Sequence, residues 1–89
     1  METGTGLTEM EARILEKLAV GERTADIARH VYLSRQGVEF HVSKMLQRMR
    51  VPNRTALVAK AYSMGIFSVP SWPPKVGAER GRLEVVERR

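Results

Sequence analysis

The sequence lacks cysteine altogether, which excludes disulfide bonds, thiolate chemistry and the common cysteine-ligated zinc sites. Aromatic residues make up only 6% of the 89 residues, so aliphatic side chains must fill the core, as is typical of a compact helical domain. No apolar run approaches the ~20 residues that cross a membrane, and the N-terminus, METGTG, lacks the features of a secretory signal. We therefore expect one cytoplasmic domain that does not bind membranes.

Residue groups typical of enzymes are also missing. Only two histidines occur, and we find neither paired carboxylates nor a phosphate-cradling glycine loop. His41 is interpreted as a half-buried helix residue rather than as a ligand or catalyst. The sequence therefore predicts no catalysis, no metal and no cofactor.

Positive charge, by contrast, is abundant. Fifteen Lys and Arg against ten Asp and Glu give a formal net charge of +5 and a pI near 10.2. Such an excess suits a polyanionic partner, but ribosomal and membrane-surface domains are equally basic. Charge alone therefore does not choose among these classes.

Helical signals begin at LTEMEARILEKLAVG, residues 7–21. Thr8 and Glu11 have the spacing of a capping box, and Gly21 can adopt the left-handed conformation that ends a helix. Between them, apolar residues recur on one face: Met10, Ile14, Leu15 and Leu18. This pattern predicts the first helix.

Two further helices follow closely. Thr24 is the predicted N-cap of a short helix, ADIARHV, and after YLS the hydroxyl of Ser34 is the predicted cap of a third helix over 35–49. The residues of the third helix that should face the core are Val38, Val42, Met45 and Met49, flanked by His41 and Leu46. The residues left on its other side are Gln36, Glu39, Phe40, Ser43, Lys44 and Gln47.

A short helix, a three-residue connection and a longer helix with a polar outer face form the helix-turn-helix pattern. The major groove of DNA is about 12 Å wide and admits one helix, so direct readout needs a stripe of hydrogen-bonding side chains on that helix. Spacing alone does not separate this arrangement from other small bundles. The fold prediction is an all-α four-helix bundle with a central helix-turn-helix and an extended C-terminal tail.

A fourth helix, RTALVAKAYSM, should begin at the cap Asn53 and end at Gly65. It is too short to bury all of its apolar residues, so we expect a patch that a twofold partner covers. The residues of this predicted dimer interface are Leu57, Val58, Ala61 and Tyr62. The alternative is that the chain itself covers them, with help from Trp72.

The tail, residues 68–89, has three open interpretations. Its first half, SVPSWPPKVG, should be extended because of its three prolines, and its second half, AERGRLEVVERR, is charged. The tail is interpreted as disordered after a Trp72 anchor, as a basic arm that touches DNA, or as a strand formed by LEVV against a protein partner.

From residue 7 to residue 67 the sequence resembles the LuxR/GerE-type DNA-binding domain of bacterial transcription regulators. The positions that carry the resemblance are Leu7, Thr8, Glu11, Leu15, Gly21, Ile27, Ala28, Ser34, Val38, His41, Val51, Arg54, Ala59 and Gly65. The resemblance implies one domain over 7–67, with residues 1–6 a flexible N-terminus and 68–89 a tail. It also implies that the third helix reads double-stranded DNA and that the fourth forms a homodimer on inverted half-sites.

Carried over residue by residue, the resemblance implies a set of DNA contacts. The base-reading positions are Gln36, Glu39, Phe40 and Ser43. The phosphate-binding positions are Thr24, Arg35, Lys44, Arg48 and Arg54.

Two positions depart from the family pattern. Family members commonly have threonine where this chain has Gly37, and many have lysine where it has Glu39. A carboxylate does not bind phosphate, but it accepts a hydrogen bond from cytosine N4, and the neighbouring Phe40 can contact a thymine methyl. The alternatives are that Glu39 pairs with a basic neighbour one turn away or repels wrong sequences, and that Phe40 packs under the N-terminal residues or the tail.

The sequence thus predicts a stand-alone, sequence-specific transcription regulator, because 89 residues leave no room for the receiver or ligand-binding domain that most relatives carry. A fragment of a longer regulator is the alternative. One rival is the promoter-recognising fourth region of sigma factors, which Arg54 and the Gly65–Phe67 ending disfavour. Another is an adaptor that uses the same fold to bind a protein, such as another regulator or RNA polymerase.

Overall fold

The computed structural model describes residues 6–68 and 72–77. In this part of the chain four helices precede a small antiparallel hairpin, and the elements are α1 (Glu9–Ala19), α2 (Thr24–Val31), α3 (Arg35–Met49), α4 (Arg54–Ser63), β1 (Phe67–Ser68) and β2 (Lys75–Val76). The predicted four-helix, all-α domain with a helix-turn-helix is confirmed. The hairpin is an addition that the sequence pattern did not predict.

Local capping signals place three of the helix starts. The predicted capping box of α1 is confirmed: Thr8 Oγ1 accepts from the Glu11 N–H at 3.0 Å, and Glu11 Oε1 accepts from the Thr8 N–H at 3.1 Å. Ser34 and Asn53 also cap α3 and α4 as predicted, each accepting from a backbone N–H three residues on. These bonds satisfy donors that a helix start leaves without partners.

The start of α2 differs from the prediction. Arg23 is its N-cap and makes no capping bond through its side chain, whereas Thr24 is the first helical residue. The Thr24 hydroxyl is directed to α3 and α4 instead. The prediction that Thr24 caps α2 is therefore wrong, because two long-range hydrogen bonds compete for the same hydroxyl.

The core lies where α1, α2, α3 and α4 meet. The predicted inward face of α3 is confirmed, because Val38, Val42, Met45 and Met49 are all buried. Tyr32 connects α2 to α3 in the left-handed conformation, with φ 59°. This turn holds α2 against α3 and leaves the opposite face of α3 in solvent. The other core residues are Leu7, Ala12, Ile14, Leu15, Leu18, Ile27, Ala28, Val31, Leu57, Ala61, Ile66 and Phe67.

The hairpin packs back onto α1. Its second strand is held by a hydrogen bond from the Val76 N–H to Glu16 Oε2 at 2.9 Å. Pro74 is fully buried, whereas Trp72 is 75% exposed, so the prediction of a Trp72 anchor is wrong. Proline contributes here as an apolar ring that needs no N–H partner. The LEVV segment lies outside the described residues.

Candidate nucleic-acid interface

The exposed face of α3 is the main candidate surface. As predicted, its solvent side carries the side chains of Gln36, Glu39, Phe40, Ser43, Lys44 and Gln47, all of which are exposed. We call these six residues the α3 outer face. A 15-residue helix is about 22 Å long and about 10–12 Å across, so it fits a major groove about 12 Å wide.

Phe40 is the exposed aromatic residue of the α3 outer face. Its side chain is 60% exposed, and Lys44 Nζ lies over the ring, 5.3 Å from the centroid. His41, half-buried as predicted, contacts the same ring edge-on at 5.7 Å between centroids. These two contacts restrain the Phe40 ring while leaving most of it available to a ligand. The alternative, that the N-terminus or the charged tail covers Phe40, concerns residues 1–5 and 78–89, which lie outside the described residues.

Glu39 takes part in a hydrogen-bond chain across three helices. Thr24 Oγ1 donates to Glu39 Oε2 at 2.8 Å, and Arg54 donates to Thr24 Oγ1 at 3.0 Å. All three residues are among the predicted DNA contacts, but the sequence pattern does not predict that they bond to one another. Their separations of 15 and 30 residues lie beyond the reach of helical periodicity.

Basic side chains surround the N-termini of α2 and α3. Arg35 is exposed, and it lines an open cleft of about 490 Å³ together with Arg23, Thr24, Ala25, Asp26 and Arg29. Arg29 pairs with Asp26 at 2.6 Å, so the acidic side chain in this cleft is already neutralised by a local partner. Arg23 and Arg35 beside a helix N-terminus form the kind of environment in which a phosphate binds.

Arg48, a predicted phosphate contact, is bound to a carboxylate within the domain. Its guanidinium makes a two-pronged contact with the Glu11 carboxylate, at 2.8 Å to Oε1 and 3.5 Å to Oε2. The Glu11 side chain is only 3% exposed and that of Arg48 is 29% exposed. A buried carboxylate requires this cation, so the structural role of Arg48 competes with a phosphate contact.

The predicted dimer patch on α4 is also corrected. Leu57 and Ala61 are 1% and 0% exposed, so these two residues belong to the core and no partner covers them. Tyr62 is 40% exposed and packs on Phe67 at 4.5 Å between ring centroids. Val58 is partly exposed and lines an open cleft of about 570 Å³ between α4 and the end of α1. Val58 and Tyr62 are therefore the members of the predicted patch that stay accessible.

The described residues contain neither a cluster of metal ligands nor a membrane-spanning helix. No group of three or more His, Asp or Glu side chains in the described ranges has an arrangement that could hold a metal ion. None of the helices described above is long and apolar enough to cross a membrane.

The geometry defines the class of protein. It is a helix-turn-helix domain, formed by α2 and α3, in which α3 presents a polar face for DNA. Comparison with known proteins agrees, since residues 5–61, more than half of the chain, match the family described as bacterial regulatory proteins, luxR family. The chain belongs to this family.

Individual relatives are regulators as well. The chain is 34% identical over 65 residues to the transcriptional regulatory protein YxjL of Bacillus subtilis, and 36% identical over 55 residues to the CsgBAC operon transcriptional regulatory protein of Escherichia coli. These matches cover 73% and 62% of the chain but only 30% and 26% of the two relatives. A solved structure of the transcription factor GerE superposes with a TM-score of 0.64 at 27% identity, covering 66% of this chain and 88% of that one.

Proposed function

We propose that this chain is a DNA-binding transcription regulator that recognises specific duplex sequences, with residues 7–67 as its DNA-binding domain. The observation that carries the proposal is the two-sided α3, whose inner face is fully buried and whose outer face is entirely exposed and mostly polar. A helix anchored in this way presents its outer side chains rigidly to base edges. Because bacterial DNA lies in the cytoplasm, the proposal places the chain there.

The proposed DNA contacts fall into two groups. Gln36, Glu39, Phe40 and Ser43 face the bases from the α3 outer face. The phosphates are bound on either side of the groove by Arg35, Lys44 and Arg54. Base contacts give sequence preference, whereas phosphate contacts give affinity that depends on salt.

We also propose a homodimer on inverted half-sites, formed through α4. Support comes from Val58 and the cleft it lines, which offer an accessible apolar surface after Leu57 and Ala61 are assigned to the core. A weak dimer gains strength on DNA because the first bound domain raises the effective concentration of the second. Light scattering across a range of concentrations, with and without duplex, tests this point. A single domain on a single half-site without cooperativity would contradict it.

The test of the proposed function is selection of the purified chain against a pool of random duplexes at about 0.15 M salt. Enrichment of a defined sequence is expected, and an inverted repeat is expected if the dimer forms on DNA. Binding that depends on salt but enriches no sequence would contradict the proposal. That result would favour the adaptor function, in which the same fold binds a protein.

Lys44 gives a sharper prediction. Lys44→Ala should weaken binding to every duplex by a similar factor and lower the slope of log affinity against log salt by roughly one, because one phosphate contact is lost. The matched control is Lys17→Ala, which removes the same charge from α1, outside the proposed DNA contacts. Anisotropy titrations at four salt concentrations measure both slopes. Equal losses for the two variants would show that general charge, rather than α3, determines binding.

A further inference from the structure

Glu39 is an unusual residue to find on a surface that faces DNA. Its carboxylate is repelled by phosphates, and a mobile side chain at this exposed site would turn away from them into solvent. In this structure the carboxylate is held by the Thr24 hydroxyl at 2.8 Å. The hydroxyl of Thr24 has one proton, which it donates to Glu39 because a carboxylate oxygen only accepts, and the same hydroxyl oxygen accepts from Arg54 at 3.0 Å.

The chain of bonds has a fixed direction. Arg54, which is always protonated, donates to Thr24, and Thr24 in turn donates to the ionised Glu39. Each bond polarises the next, and a bond to a carboxylate is stronger than one between neutral groups. The three residues come from α4, α2 and α3, so the position of the Glu39 carboxylate is set by the packing of three helices.

The held carboxylate keeps capacity to accept more hydrogen bonds. Thr24 uses one lone pair of Oε2, and an ionised carboxylate accepts about four hydrogen bonds in all. In the major groove, cytosine offers the N4 donor, whereas guanine offers only acceptors and adenine places an acceptor next to its donor. A carboxylate that has no donor of its own therefore matches cytosine best.

We infer that Thr24 is a positioning residue for base recognition, and that the Arg54–Thr24–Glu39 chain makes Glu39 selective for one cytosine in each half-site. This inference rests on the proposed function and deepens it. It also reassigns Thr24, since its only proton is directed to Glu39 and its hydroxyl is no longer a phosphate donor. Arg54 keeps further N–H donors beyond the one that Thr24 accepts, so its phosphate contact is compatible with the chain of bonds.

The test uses the full chain and a duplex carrying the enriched site. The position read by Glu39 is the one at which the Glu39→Ala variant loses its base preference, and each of the four bases is placed there in turn. The unchanged protein should prefer cytosine there by about fivefold or more. Glu39→Gln should move the preference to adenine, because an amide both donates and accepts as adenine requires. Thr24→Val, which has nearly the same shape without the hydroxyl, should reduce the cytosine preference to below about twofold, while Thr24→Ser should retain it.

The readout separates positioning from general damage. A merely structural loss in Thr24→Val would weaken binding to all four duplexes equally and leave their ratio intact. Thermal unfolding of each variant confirms that it folds, and Ser63→Ala, which removes another exposed hydroxyl, should keep the ratio of the unchanged protein. A cytosine preference that survives in Thr24→Val, or a preference for a different base at the Glu39 position, would overturn this inference alone. Failure to enrich any site would overturn the proposed function as well.

Discussion

Replacing Arg48 with methionine should lower the free energy of unfolding by about 3 kcal/mol, measured by urea denaturation. The reason is that the carboxyl group of Glu11, whose side chain is 3% exposed, would be left in the core without its cation. The loss falls at the lower end of the range for buried pairs because water reaches the Arg48 side chain, which is 29% exposed. Against a typical total of about 5–15 kcal/mol this is a large fraction.

A double-mutant cycle isolates the ion pair. Glu11→Gln keeps an oxygen for the capping box and for Arg48 but removes the charge, so in that background Arg48→Met should cost only about 1 kcal/mol. The difference of about 2 kcal/mol is the coupling that the buried charge produces. If Arg48→Met left stability unchanged and lowered the salt slope of DNA binding, as expected for Lys44→Ala, then Arg48 would be a phosphate contact after all.

Leu57→Ala should destabilise the monomer by about 2–5 kcal/mol. Leu57 is only 1% exposed, so the shorter side chain leaves a cavity beneath α4. Leu57→Met keeps the volume and should cost less than about 1.5 kcal/mol. The loss should be the same at low and high protein concentration, since the contact lies within one chain. Chemical denaturation at two concentrations checks this.

Val58 is the matched comparison for Leu57, one position along the same helix. Val58 is only partly buried, so Val58→Ala should change monomer stability much less than Leu57→Ala does. It should instead weaken dimer formation on DNA. If Leu57→Ala changed unfolding by less than about 1 kcal/mol while abolishing the dimer, the assignment of Leu57 to the core would be wrong.

The sequence allowed most of the helical domain to be predicted because its signals are local. The capping box at Thr8 and Glu11, the caps Ser34 and Asn53, and the apolar spacing of α3 all act within one or two turns. Such signals need no knowledge of distant residues. The outer face of α3 followed directly from its inner face, because a helix with one buried side must expose the other.

The parts that were missed depend on contacts between distant residues. Arg48 reaches Glu11 across 37 positions, and Glu39 reaches Thr24 across 15, so no helical spacing connects them. The length of α4 suggested a surplus of apolar residues, but α1 and α3 pack against α4 and leave Leu57 and Ala61 in the core. The hairpin escaped prediction because its strands have two residues each, too few for an alternating pattern.

Glu39 in place of a lysine also changes the balance between affinity and specificity. A carboxylate on the α3 outer face weakens binding to every duplex, since it adds repulsion from phosphates wherever the helix lies. The proposed cytosine contact would compensate for that repulsion only at the correct site. We therefore expect Glu39→Lys to raise affinity for random duplexes more than for the enriched site, and so to reduce the ratio between the two.

Entry of the α3 outer face into the major groove can be tested by mapping amide chemical shifts of the isotope-labelled chain during titration with the enriched duplex. The largest changes should fall on residues 34–47 and at the start of α2, with small changes in the hairpin at 67–68 and 75–76. Binding through α3 would be contradicted if the largest changes lay in the hairpin or on the exposed side of α1 while residues 34–47 kept their free shifts.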